Sequence, residues 1–188
     1  GPDYYDSIKN FYRVYSGVDD KSSNAIKNFL LTIISTKKFP LTKLNNTTST
    51  EMAKVLENSY RAMNIAFIVE WTRFAENANV NIYDIINSIK MRPTHNNMMF
   101  PGIGVGGYCL TKDPLMGSWA NENFYNSNYI LNQSIEAVRI NDKMPYSAFK
   151  FLKSELKKLN HTGKNISILG VSYRSDIGDT RYSPSNLF

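Results

Sequence analysis

Apolar residues recur in steps of three and four at Met52, Val55, Leu56, Tyr60, Met63, Phe67, Trp71, Phe74 and Ala78. That spacing keeps one face of a helix apolar for about 28 residues, or roughly 42 Å at the helical rise. Thr48 and Glu51 stand just upstream with the spacing of a capping box, which predicts Thr48 as N-cap. A helix this long needs a partner surface, either the helices that follow it or a second copy of itself. Upstream, residues 13–17 read as a short strand ended by Gly17. Residues 22–34 carry Ala25, Ile26, Phe29, Leu30 and Ile33 at helical spacing. Residues 39–44 read as a second strand, with Pro40 near its start or on an edge. Strand, helix, strand is a fragment of α/β architecture.

Downstream, residues 82–89 predict a shorter helix. The pattern then breaks over 91–113, where Pro93, Pro101, Gly102, Gly104, Gly106 and Gly107 crowd together. A loop of that length within a domain is usually functional. Helical periodicity resumes over 115–119, 129–140 and 146–159, and His161, Thr162 and Gly163 stop the last run. Residues 165–171 read as a buried strand followed by a polar turn, the start of a new α/β unit. The expected fold is mainly α, with partial α/β segments at both ends.

Composition sharpens this picture. The 188 residues are 42% hydrophobic and 13% aromatic, which excludes a disordered chain. No apolar run approaches the roughly 20 residues of a membrane span. A net charge of +6 is modest and spread out. Lys150, Lys153, Lys157, Lys158 and Lys164, offset by Glu155, read as a solvated helix face. Nucleic-acid binding would want a denser basic stripe with interleaved aromatics, so no nucleic-acid partner is expected, and a phosphorylated small molecule stays open. A single cysteine forms no internal disulfide framework. The opening residues Gly1, Pro2, Asp3 and Tyr4 resemble no secretion signal, so cytoplasm is the expected compartment.

Candidate chemistry centres on Cys109. It follows Pro101, Gly102, Gly104, Gly106 and Gly107 and precedes Lys112 and Asp113. Glycine amides can approach a ligand closely, and a nearby cation activates a thiol as a nucleophile. A buried structural cysteine beside a glycine-rich turn is the other reading. Lys54 and Asn58 stand one helical turn apart. Together they suit a developing oxyanion or a held water, or else form a surface pair with Lys54 reaching back to Glu51. His95 and His161 are too isolated for a metal site, and no metal is expected. Tyr173, Arg174, Asp179, Arg181 and Ser183 fall in the terminal turn, where two arginines suit phosphate capture or form an ordinary polar loop.

Three segments together, 51–67, 101–113 and 169–184, resemble the UDP-glucose/GDP-mannose dehydrogenase family of nucleotide-sugar 6-dehydrogenases. The cysteine loop is the most specific of the three. The resemblance implies the end of an N-terminal NAD-binding domain over 1–45 and a helical central domain that dimerises through its long helix over 46–142. It implies a connecting helix and the start of a Rossmann-like domain over 143–188. It further implies an NAD-dependent oxidation of a sugar C6 alcohol to a carboxylate in two hydride transfers. Cys109 would be the nucleophile, passing through a thiohemiacetal and a thioester beside the cofactor. Lys54 and Asn58 would stabilise oxyanions and touch substrate, and Asp113 would position water. Arg92, Phe100, Pro101, Gly102, Gly104, Gly106, Tyr173 and Arg174 would contact the nucleotide sugar, and Arg181 the cofactor. The family's glycine fingerprint for a dinucleotide is not in this chain, which reads as a fragment. The alternatives are a non-catalytic helical dimerisation module and an unrelated cysteine enzyme.

Overall fold

The computed structural model describes residues 3–161, 163 and 165–187. Lys164 of the predicted basic face and Thr162 of the predicted helix stop lie outside the described residues. The protein is mainly helical, as the periodicity predicts. It divides into two units, residues 1–56 and 57–188.

The first unit holds α1 (Tyr4–Lys9), β1 (Arg13–Tyr15), α2 (Asp20–Ile33) and β2 (Leu41–Lys43). β1 and β2 pair in parallel, with Arg13 opposite Leu41 and Tyr15 opposite Lys43. A parallel pair needs a crossover, and α2 supplies it. Asp19 caps α2, accepting from the Ser22 amide at 2.7 Å while the Ser22 hydroxyl accepts from the Asp19 amide at 3.1 Å. Pro40 falls just outside β2, where its missing N–H costs no ladder bond.

The long helix α3 runs over Thr47–Asn77. Its cap differs from the predicted one: Asn46 accepts from the Ser49 amide at 2.8 Å. Asn46 is as good an N-cap as Thr48 and comes first, so the helix starts two residues earlier. The predicted apolar stripe is not the core face. Tyr60, Phe67, Trp71 and Phe74 remain exposed. The buried face carries Asn58, Ala62, Ala66, Val69 and Ala75 instead. Small residues there let another backbone come close.

In the second unit, α4 (Ile82–Lys90) closes one end of the core, with Ile82 and Ile86 against Ile68 and Ala75. α5 covers Asp113–Phe124, longer than predicted, because Asp113 and Pro114 start it. α6 runs unbroken over Asn132–Lys158 where two helices are predicted. Pro145 lies inside it and is buried. An interior proline costs about 3 kcal/mol. Packing of α6 on α3 offsets that: Ala137 joins Ala62 and Ala66, and Asn141 Nδ2 donates to the Ala62 carbonyl at 3.0 Å.

Residues 165–171 do not form the predicted buried strand. Ile166, Ile168, Leu169 and Val171 are exposed. A strand needs a ladder partner, and none of the described residues pairs with this segment.

Candidate functional site

The second unit's site is built on the turn between Gly107 and α5. The Cys109 carbonyl accepts from the Lys112 amide at 3.3 Å and from the Asp113 amide at 2.9 Å. Thr111 Oγ1 donates to the Gly107 carbonyl at 3.0 Å. Leu110 packs on the Ala62, Ala66 and Ala137 cluster. That inward anchor turns its neighbour outward, and Cys109 is an exposed free thiol.

Asp113 and Asn58 are brought together from positions 55 residues apart. Asn58 is 1% exposed and its Nδ2 donates to Asp113 Oδ2 at 2.6 Å. The other carboxylate oxygen, Oδ1, accepts from Lys112 Nζ at 2.6 Å. Lys112 was legible as a neighbouring charge, but its pairing with Asp113 was not. Asp113 holds the Lys112 ammonium above its usual pKa through this hydrogen bond, with smaller contributions from Cys109 and Tyr108. The ammonium also lies 5.4 Å from the Tyr108 ring centre. A cation, a carboxylate, a carboxamide and an accessible thiol thus share one corner of the unit.

Residues 170–187 fold back over the glycine-rich loop. A Cβ on Gly106 would stand 2.3 Å from Tyr173 Cβ, and one on Gly104 2.5 Å from Pro184 Cβ. Tyr108 meets Tyr182 edge-on at 5.9 Å. A cavity of about 470 Å³ opens beside the turn, with Tyr108, Lys112, Asn141, Asp142, Tyr182 and Ser183 in its wall. Burial pushes the Asp142 carboxyl above its ordinary pKa.

The remaining predicted residues are less tightly gathered. Lys54 belongs to the first unit, one turn before Asn58 on α3. Arg92 is exposed at the start of the turn Pro93–His95, with no side-chain hydrogen bond to the cysteine turn. Phe100 stacks on Tyr83 at 5.8 Å, and Lys90 Nζ lies 5.1 Å from its ring centre. Pro101 is half-buried, and Gly102 faces open space. Arg174 is exposed. Arg181 is held by Asp179 through Nε at 2.9 Å and Nη2 at 2.8 Å. Those bonds lower the Asp179 carboxyl to about 2. Tyr108, Asn141, Asp142 and Tyr182 escaped sequence reasoning. Nothing local marks the last three as neighbours of a loop some 35 to 75 residues earlier.

A glycine-rich loop that leads into a cysteine turn, with Asp113 of that turn bonded to Lys112 and to Asn58 of the long helix, defines a class. Residues 48–143 match the UDP-glucose/GDP-mannose dehydrogenase family, central domain. The chain belongs to that family. It is 35% identical over 181 residues to the UDP-N-acetyl-D-mannosamine dehydrogenase of Pyrococcus horikoshii, covering 94% of this chain and 40% of that protein. It is 31% identical over 174 residues to the UDP-glucose 6-dehydrogenase of Rickettsia conorii, covering 92% of this chain and 39% of that one. Among solved structures, the Pyrococcus horikoshii UDP-D-ManNAc dehydrogenase superposes with a TM-score of 0.78 at 32% identity, covering 95% of this chain and 41% of that chain. A UDP-N-acetyl-mannosamine dehydrogenase from Staphylococcus aureus gives 0.71 at 29% identity, with 92% and 37% covered. The chain therefore spans about two-fifths of the length of these relatives. Among the described residues, no helix is long and apolar enough to cross a membrane.

Proposed function

We propose that this chain carries the thiol half of a nucleotide-sugar 6-dehydrogenase, with a UDP-linked N-acetylhexosamine as substrate. The observation that carries the reading is the Asn58–Asp113–Lys112 network on the turn of an exposed Cys109, whose carbonyl accepts from the Lys112 and Asp113 amides. The relatives' names support the substrate class. In this reading residues 1–45 end a cofactor domain, 46–142 form the central domain, and 143–188 lead into a third.

Cys109 as thiolate adds to the C6 aldehyde, forming a C–S bond and a thiohemiacetal oxyanion. Lys54 and Asn58, one turn apart on α3, stabilise that oxyanion. Asp113, pinned by Asn58 and Lys112, positions water for hydrolysis of the later thioester, which releases the carboxylate and returns the thiol. The substrate contacts fall to Arg92, to the loop from Phe100 to Gly106, and to Tyr173 and Arg174, with Arg181 turned to the cofactor.

NAD⁺, when bound, supplies the hydride acceptor for both oxidations. The described residues do not fit its pyrophosphate. The strand–turn–helix from β1 to α2 caps its helix with the Asp19 carboxylate, which fills the place an anion would take. That supports a cofactor carried by a domain beyond this chain.

The test is Cys109→Ala in an enzyme that joins this chain to such a domain. NADH formation from the sugar 6-aldehyde should vanish, and near-normal turnover would sink the assignment.

A further inference from the structure

Three glycines of the cysteine loop are closed over by one segment. A Cβ on Gly106 would meet Tyr173 Cβ at 2.3 Å and the Tyr182 carbonyl at 2.8 Å. On Gly107, whose φ is +81°, it would meet Cε2 and Cζ of the Tyr173 ring at 2.8 and 2.9 Å. On Gly104 it would meet Pro184 Cβ at 2.5 Å. Gly102, in the same loop, has nothing within 4 Å. The need for glycine therefore follows where Tyr173 and Pro184 lie. At these positions the missing side chains make room for another part of the same chain.

Gly107 is the first residue of the cysteine turn. Its carbonyl accepts from Thr111, whose neighbours Lys112 and Asp113 donate to Cys109. Leu110 fixes the inner side of that turn in the α3–α6 core. The Tyr173 ring lies over Gly107, at the start of the same turn. Its hydroxyl makes no hydrogen bond among the described residues, so the contact is made by the ring's shape.

We propose that Tyr173 is a positioning residue for Cys109: its ring, seated on Gly106 and Gly107, clamps the cysteine turn against the Leu110 anchor. The catalytic weight of this clamp rests on the reading of Cys109 as the nucleophile. The clamp itself is a packing claim and is testable without turnover. It also ties the thiol's geometry to residues 170–187, so that displacing that segment displaces the site.

Cys109 is the sole thiol of the chain, so iodoacetamide alkylation reports this one site. In the 188-residue chain, Tyr173→Ala should raise that rate about three- to tenfold, the scale of a locally loosened turn in an otherwise folded unit. Tyr173→Phe should keep the wild-type rate, because the ring is retained. Gly106→Ala, which drives the loop off Tyr173, should raise the rate as Tyr173→Ala does. Gly178→Ala, with open space around it, should change nothing. Far-UV circular dichroism checks that each variant folds. If Tyr173→Ala does not, Tyr173→Leu takes its place with the same expectation. Equal rates for wild type and the ring-lacking variant would overturn the clamp. So would a Tyr173→Phe rate matching Tyr173→Ala, which would assign the effect to the hydroxyl. A normal clamp with no aldehyde turnover would count against the proposed function and leave this inference standing.

Discussion

At the scale of single residues, the proposed chemistry depends on what each side chain's neighbours hold in place. Asn58 and Lys112 each hold one oxygen of Asp113, at 2.6 Å in both cases. Asn58 is buried, and its bond is not in competition with water. Lys54 has a different expected part, acting where charge develops. In the cofactor-joined enzyme, Lys54→Met should lower kcat about 10²–10³-fold, the typical cost of one oxyanion-stabilising group, with KM nearly unchanged. Steady-state kinetics decides it: a rise confined to KM would make Lys54 a substrate-binding group. Cys109, Lys54, Asn58 and Asp113 were legible as candidates from residue type and spacing. The Lys112–Asp113 and Asp179–Arg181 pairings were not, because adjacent or near-adjacent charges pair only when a turn points them together.

At the scale of elements, helix periodicity located α2, α3 and α4, since burial of one face imposes it. Ends were less legible. Asn46, Thr47, Thr48, Ser49 and Thr50 are all polar, and several can cap. The structure selects Asn46, which accepts from both the amide and the hydroxyl of Ser49. Asn46→Ala should therefore destabilise the protein by about 1 kcal/mol, and Thr48→Ala by much less. Urea titration distinguishes them, and a larger loss from Thr48→Ala would restore the cap read from sequence. The continuity of α6 through Pro145 was illegible for another reason. Proline argues locally for a break, and only contacts with α3 outweigh it. The lost strand at 165–171 is the converse case, with apolar residues in place but no ladder to join.

At the scale of the whole molecule, the exposed aromatics of α3 call for a covering surface. Phe67 lies 6.1 Å from Trp71, which meets Phe74 edge-on at 5.7 Å, and all three remain exposed. A continuous apolar patch of this kind marks an interaction surface, and a two-fold pairing of α3 with its copy closes it most simply. The chain by itself should be a dimer, with a light-scattering mass about twice 21.5 kDa. Phe67→Ser combined with Trp71→Ser should give the monomer mass. A monodisperse monomer of the unmodified chain would refute the pairing. The chain should also leave NADH absorbance flat with any nucleotide sugar, since its own strand–turn–helix is capped by Asp19.

The sequence by itself determined the helical class, the long helix, the cysteine loop and the family. Each of these is written in local spacing or in a short run of residue types, and local chain geometry turns that spacing into structure. Tertiary structure alone decided which face of α3 is core, because alanines and aromatics alternate around the helix and only a packing partner chooses between them. It also decided why the loop is glycine-rich. Gly104, Gly106 and Gly107 accommodate Pro184 and Tyr173, residues about 65 to 80 positions away. No local pattern encodes which distant side chain will occupy the space a glycine leaves. That is settled only when the chain folds back on itself.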